Sequence, residues 1–207
     1  MRILPNGDRA LLVEFASLDL VLGAHAAWSA APAPGIVELV PAARTVLVRI
    51  DPVVTGLAAI EHWLAEHPAS PLALADGDVV SVPVTYDGDD VAAVADAWGC
   101  SIDAVIERHL ATEWLCGFIG FAPGFGYLVP APGQSALPQV PRRETSRPRV
   151  PAGSVALAAG YCGVYPRESP GGWQLIGRTS LELWRDDTEQ PALITPGTRV
   201  RFERVPA

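Results

Sequence analysis

The chain has 207 residues, 49% of them apolar and 18% charged, and a formal charge of −8. That length buries a sizeable core in one large or two small domains, and the low charge with a mean hydropathy of +0.24 argues against disorder. An acidic total argues against nucleic-acid binding, and no apolar run reaches the roughly 18 residues that a membrane span needs.

All 15 basic residues are arginine. Without lysine there is no Schiff-base chemistry and no phosphate loop of the GxxxxGK[ST] type. Asn6-Gly7-Asp8 interrupts the first apolar stretch, so the start is a poor secretory signal and a soluble cytoplasmic protein is expected. Cys100, Cys116 and Cys162 form no CxxC pair, which speaks for reduced thiols and against a zinc knuckle; no metal site is expected.

In chain order, Ala10–Phe15 follows a turn signal and reads as a strand, and Leu18, Val21, Leu22 and Ala26 give helical spacing over 18–30. The β-branched runs 35–40 and 45–50 predict a hairpin, and 55–67 a second helix. With a last strand over Asp78–Val84 this is the β-α-β-β-α-β order of a ferredoxin-like domain. The segment 68–78 (PASPLALADGD) reads as a linker, placing one domain at 1–76 and a second at 77–207.

Two short helices are expected at 89–98 and 101–110, the latter capped by Ser101. From Gly117 onward Gly and Pro recur every few residues between short β-rich pieces at 155–158, 174–177, 181–184 and 199–202. That texture predicts an antiparallel barrel or sandwich. The fold class is α+β.

Three segments could carry chemistry. Gly117–Leu128 packs four glycines among four aromatics, either as the wall of a small-molecule pocket or as a packed turn in a barrel. Pro141–Arg149 holds four Arg and one Glu, net +3 against −11 elsewhere, and reads either as an anion site or as a solvated run paired with the protein's own carboxylates. In Tyr165–Trp173, Pro170-Gly171 fits a type II turn presenting Ser169 and Trp173, beside Tyr165 and with Arg178 downstream. His109 and Glu113 lie four apart, one face of a helix, but no HExxH, GxSxG or GxGxxG accompanies them.

The runs GFAPGFGYL, PRRETSRPRVPAGSVALAAG and GVYPRESPGGWQLIGRTSLELW, with NGDRALLVEF and IERHLATEW upstream, resemble the KipI and allophanate hydrolase subunit 1 family (carboxyltransferase subdomains C and D) over nearly the whole chain. The family includes the B-type subunit of 5-oxoprolinase. The resemblance implies a ferredoxin-like N-terminal domain and a cyclophilin-like antiparallel β-barrel led by two short helices. It implies a subunit of an ATP-dependent 5-oxoprolinase, working with a KipA/allophanate hydrolase subunit 2-type partner and a third subunit. ATP, with Mg2+, belongs to the complex, since no cofactor motif occurs in this chain. Alternatives are a KipI-like inhibitor of a sensor histidine kinase, or a subunit serving urea or allophanate metabolism.

Carried over by position, His109, Arg147, Tyr165 and Arg178 are the expected catalytic residues, with His109 as general base and the arginines stabilising an oxyanion or phosphate. Phe125, Tyr127, Arg142, Ser154, Ser169, Gly171 and Trp173 are the expected substrate-binding residues. Tyr161-Cys162 departs from the family's usual glutamine and threonine, changing polar contacts at the expected pocket.

Overall fold

Asn6-Gly7 folds the chain back, with Gly7 at φ +70 and the Asn6 N–H donating to Ala10 O at 2.9 Å. The first strand, β1 (Arg2–Pro5), thereby lies antiparallel to β2 (Ala10–Glu14). The computed structural model describes residues 1–71 and 79–206, and the chain divides into two units, Met1–Asp76 and Gly77–Ala207.

In the first unit, α1 (Leu18–Ala30) and α2 (Leu57–Glu66) accompany β3 (Ile36–Pro41) and β4 (Thr45–Ile50) in a sheet of order β1-β2-β4-β3. Alternation puts Leu11, Val13, Val46 and Val48 into one core with Val21, Trp28, Ile60 and Leu64. The expected ferredoxin-like order is altered at one edge. Asp78 lies outside the described residues, and Val79–Val84 (β5) pairs parallel with β13 (Arg199–Arg204) in the second unit. There Val82 and Val84 are fully buried, while the edge beside β2 is filled by β1. Pro68–Pro71 carries no regular structure, and the rest of the expected linker, 72–78, lies outside the described residues.

The second unit strings seven strands in the order β12-β9-β10-β7-β6-β13-β5. Its other members are β6 (Trp114–Ile119), β7 (Gly126–Pro130), β9 (Ser154–Ala158), β10 (Tyr161–Val164) and β12 (Gln174–Arg178). The two edges meet where Thr85 and Arg178 exchange both N–H···O bonds at 2.9 Å, nearly closing a barrel. β9 is buried at all five residues: Val155 and Leu157 pack in one core with Trp114, Leu128, Ile176 and Phe202, and Ala156 and Ala158 in another with Phe125, Tyr165 and Trp173. The helices α3 (Val91–Trp98) and α4 (Ile102–Ala111) pack on β12 and β13, and Ser101 Oγ caps α4 by accepting from Ala104 N–H at 3.2 Å. Among the described residues no helix is long and apolar enough to cross a membrane.

Two further expectations are corrected. Leu181–Trp184 is not a strand: Trp184 makes only an isolated bridge to Ala192 within an irregular loop. Nor do Pro170-Gly171 form a type II turn, which needs positive φ at the glycine. Ser169–Gly171 is instead a short strand, β11, paired with β8 (Arg147–Val150).

Gly163 in β10 is required by close packing. A Cβ there would stand 2.8 Å from Phe125 Cζ and 3.2 Å from Gly126 O. Gly163→Ala is expected to lower unfolding stability by about 1–3 kcal/mol, read from the urea midpoint. An unchanged midpoint would show that the Phe125 ring can move aside.

Candidate functional site

The tip of the β6–β7 hairpin builds one wall. Gly120 N–H donates to Phe125 O at 3.1 Å and Phe125 N–H to Ala122 O at 3.0 Å, forming a tight turn. Phe121 stands in the left-handed region at φ +67, unfavourable for a residue with a Cβ, and the residue is 59% exposed. Phe125 turns inward and is 1% exposed. Four aromatics meet its ring edge to face: Phe121 at 5.4 Å, Tyr127 at 5.2 Å, Tyr165 at 5.2 Å and Trp173 at 5.4 Å.

These rings line a cavity of about 250 Å³, completed by Pro170-Gly171-Gly172 and by two polar side chains, Arg142 and Ser146. Gly171 leaves room for the Tyr165 hydroxyl, because a Cβ there would lie 2.2 Å from Tyr165 Oη. Burial raises the Tyr165 pKa; a hydrogen bond from the Trp173 backbone and the charges of Arg142 and Arg147 oppose it. Tyr165 is therefore a phenol at neutral pH and can donate a hydrogen bond.

The arginines of 141–149 divide into different tasks. Asp90, 4% exposed, accepts Arg143 Nη1 at 2.7 Å, Arg147 Nη1 and Nη2 at 2.8 and 2.9 Å, and the Leu175 N–H at 2.7 Å. Burial pushes the Asp90 pKa up, but the hydrogen bonds from Arg147 and Leu175 and both guanidinium charges hold it below the ordinary value. Arg142 has no hydrogen-bond or ion-pair partner among the described residues, so its guanidinium is the cation that faces the cavity.

Among the residues expected from sequence, the cavity brings together Phe125, Tyr127, Arg142, Tyr165, Gly171 and Trp173. It leaves out Arg147, which is committed to Asp90, and Arg178, which pairs with Asp87 at 2.8 Å. Ser154 and Ser169 are turned to backbone, donating to Pro151 O at 2.8 Å and to Arg167 O at 3.2 Å. Arg147, Ser154 and Arg178 line a separate groove with Asp87 and Asp89.

His109 is corrected most firmly. It is fully buried, with Nδ1 2.7 Å from Tyr86 Oη, Nε2 3.3 Å from Cys162 Sγ and its ring 4.4 Å from that of Phe202. Burial pushes its pKa down to about 3, so it is a neutral core residue and not a base at the cavity. Glu113 lies beyond the end of α4 and accepts Arg199 Nε at 2.6 Å, away from any pairing with His109. Cys162, one of the departures from family pattern, is the core partner of His109, and Tyr161 packs edge-on against Tyr127 at 5.7 Å.

Sequence reasoning misses Phe121, Ser146 and Asp90. Phe121 carries no local signal for positive φ, and Ser146 stands out only as the neighbour of Arg147. Asp90 falls inside the helix expected over 89–98, whereas α3 begins after it and its side chain makes no capping hydrogen bond. Among the described lining residues none is a carboxylate, a cysteine or a histidine. The cavity sets an aromatic wall beside one guanidinium-bearing residue and one serine.

The family model for the carboxyltransferase domain, subdomain C and D, matches residues 1–194, and the chain belongs to that family. It is 39% identical to the B-type subunit of 5-oxoprolinase from Escherichia coli O157:H7, over 82% of this chain and 78% of that protein. It is 33% identical to the corresponding 5-oxoprolinase component of Bacillus subtilis (strain 168), over 96% of this chain and 90% of that protein. The crystal structure of TTHA0988 is similar at a TM-score of 0.80 and 32% identity, over 96% of this chain but only 41% of that one.

The buried imidazole makes stability depend on pH. Between about pH 3 and 6.5 the unfolded chain protonates this histidine while the folded chain does not, so its contribution is lost as pH falls through that window. The urea midpoint is expected to drop from about pH 7.5 to about pH 5, and His109→Gln to flatten that drop. An equal drop in both proteins would assign the effect elsewhere, for example to His25, whose pKa burial also lowers against a backbone hydrogen bond with Leu39.

Proposed function

We propose that this chain is the substrate-orienting subunit of an ATP-dependent 5-oxoprolinase, acting with an allophanate hydrolase subunit 2-type (KipA-type) partner and a third subunit. The observation that carries this reading is the unpaired Arg142 in a small aromatic-walled cavity. Relatives named as B-type subunits of 5-oxoprolinase support it from outside the geometry. 5-Oxoproline is a flat five-membered lactam bearing one carboxylate. Arg142 takes the carboxylate in a charge-assisted pair, the ring packs against the aromatic wall that Tyr127 and Trp173 form edge to face, and the Tyr165 phenol donates to the lactam oxygen.

Ring opening adds water across the lactam C–N bond to give glutamate. The cavity holds no side chain that would deprotonate water near neutral pH, so this chain's share is binding, polarising the carbonyl and excluding solvent. Its residues do not fit a nucleotide: there is no lysine, no phosphate loop and only Arg142 at the cavity to meet a triphosphate. In this reading ATP and Mg2+ are held by the partner subunits, in the cytoplasm where ATP is supplied. The same reading takes the second unit as a cyclophilin-like barrel and the first as a ferredoxin-like sheet with a substituted edge strand. The nearly closed seven-stranded sheet and the two-helix, four-strand order support it.

ATP-dependent release of glutamate from 5-oxoproline tests the proposal, with this chain alone and with both partners. Turnover is expected only in the full mixture. Arg142→Ala is expected to raise KM by roughly one to two orders of magnitude, the range of a lost hydrogen bond to a charged group. No turnover from a verified complex, or an unchanged KM in Arg142→Ala, would refute the reading.

A further inference from the structure

The polypeptide between Arg142 and Ser146 forms the polar rim of the cavity, and it is irregular backbone up to the start of β8. Its tethers are few. Arg143 N–H donates to Gly172 O at 2.8 Å, and Gln174 Nε2 to Pro141 O at 3.0 Å. At its end Arg147 pairs with Gly171 across β8 and β11 and lies 3.6 Å from the exposed Asp89 carboxylate, and the closest side-chain ties run through one carboxylate. Asp90 Oδ1 accepts from Arg143 Nη1 and Arg147 Nη2, and Oδ2 from Arg147 Nη1 and the Leu175 N–H. Arg143 and Arg147 stand immediately inside and outside the Arg142–Ser146 pair, so Asp90 grips the rim next to both polar side chains that face the cavity. Asp90 itself does not line the cavity. It occupies the N-cap position of α3 without capping, so the carboxylate is given to the rim at the helix's expense.

We propose that Asp90 is a positioning residue for substrate binding: by holding Arg143 and Arg147 it sets the rim so that Arg142 presents its guanidinium to the cavity. The consequence for a substrate rests on the reading that Arg142 meets the carboxylate of 5-oxoproline. Two guanidiniums tied to one buried carboxylate also leave Arg142 without a carboxylate of the protein's own to compete with the ligand. Neutralising Asp90 would leave Arg143 without a carboxylate and Arg147 with only the exposed Asp89 at 3.6 Å, and Arg143 Nε is already buried without a partner. The rim would then relax toward solvent and carry Arg142 with it.

Asp90→Asn and the milder Arg143→Gln, which keeps the two-pronged Arg147 pair, form the test. Amide hydrogen exchange needs no substrate. Exchange at 142–146 is expected to rise about tenfold or more in either variant, while β9 stays at the wild-type rate, which global loosening would not allow. In the reconstituted complex, KM for 5-oxoproline is expected to rise about tenfold with kcat held within roughly twofold. Unchanged exchange at 142–146 overturns the proposal, as does faster exchange with an unchanged KM. A wild-type complex without turnover refutes the functional reading instead, and the exchange comparison still decides the positioning role.

Discussion

The second unit depends on one buried carboxylate. Asp90 is separated by 53 and 57 residues from the arginines it holds and by 85 from the backbone N–H it accepts. A carboxylate taken out of water without compensation is strongly destabilising, and here both oxygens are filled by charged or backbone donors. The compensation comes only when the start of α3, the rim segment and β12 are all in register. The interaction therefore specifies an arrangement more than it adds net stability, and the arrangement it specifies is the rim of the cavity.

Around that rim the division between charge and aromatic surface decides what the cavity can do. Phe125 is locked by four edge-to-face neighbours, so the wall is preorganised before any ligand arrives. Phe121 is held in an unfavourable backbone region with its ring outward, the kind of strain that is retained at ligand sites. No carboxylate, histidine or cysteine is among the described residues that line the cavity, and burial raises the pKa of the Tyr165 phenol. Binding and orientation fit such a site, and that is the share the proposed function assigns to this chain.

Much of this is legible in the sequence, and the failures have physical causes. Periodicity locates α1, α2, the β3–β4 hairpin and both helices of the second unit, because each buries a regular apolar face. The Gly-aromatic run, Arg142 and the Tyr165–Trp173 segment stand out by composition and do meet at one cavity. Segment 79–84 misleads because a β-branched run does not say which sheet it joins. β1 escapes notice because an edge strand of four residues has little periodicity to read. The roles of Arg142, Arg143 and Arg147 are indistinguishable in sequence, since which arginine remains unpaired is set by Asp90, far off in the chain. His109 misleads because spacing on a helix does not say which face turns inward.

The most direct measurement is a crystal structure of the second unit's cavity within the full chain after soaking with 5-oxoproline, compared with Arg142→Ala treated alike. The account predicts the lactam ring beside Trp173 and Tyr127, its carboxylate on the Arg142 guanidinium and its carbonyl oxygen at Tyr165, with no ligand in the variant. A ligand seated in the groove between Asp87 and Arg178, or bound equally well without Arg142, would contradict it.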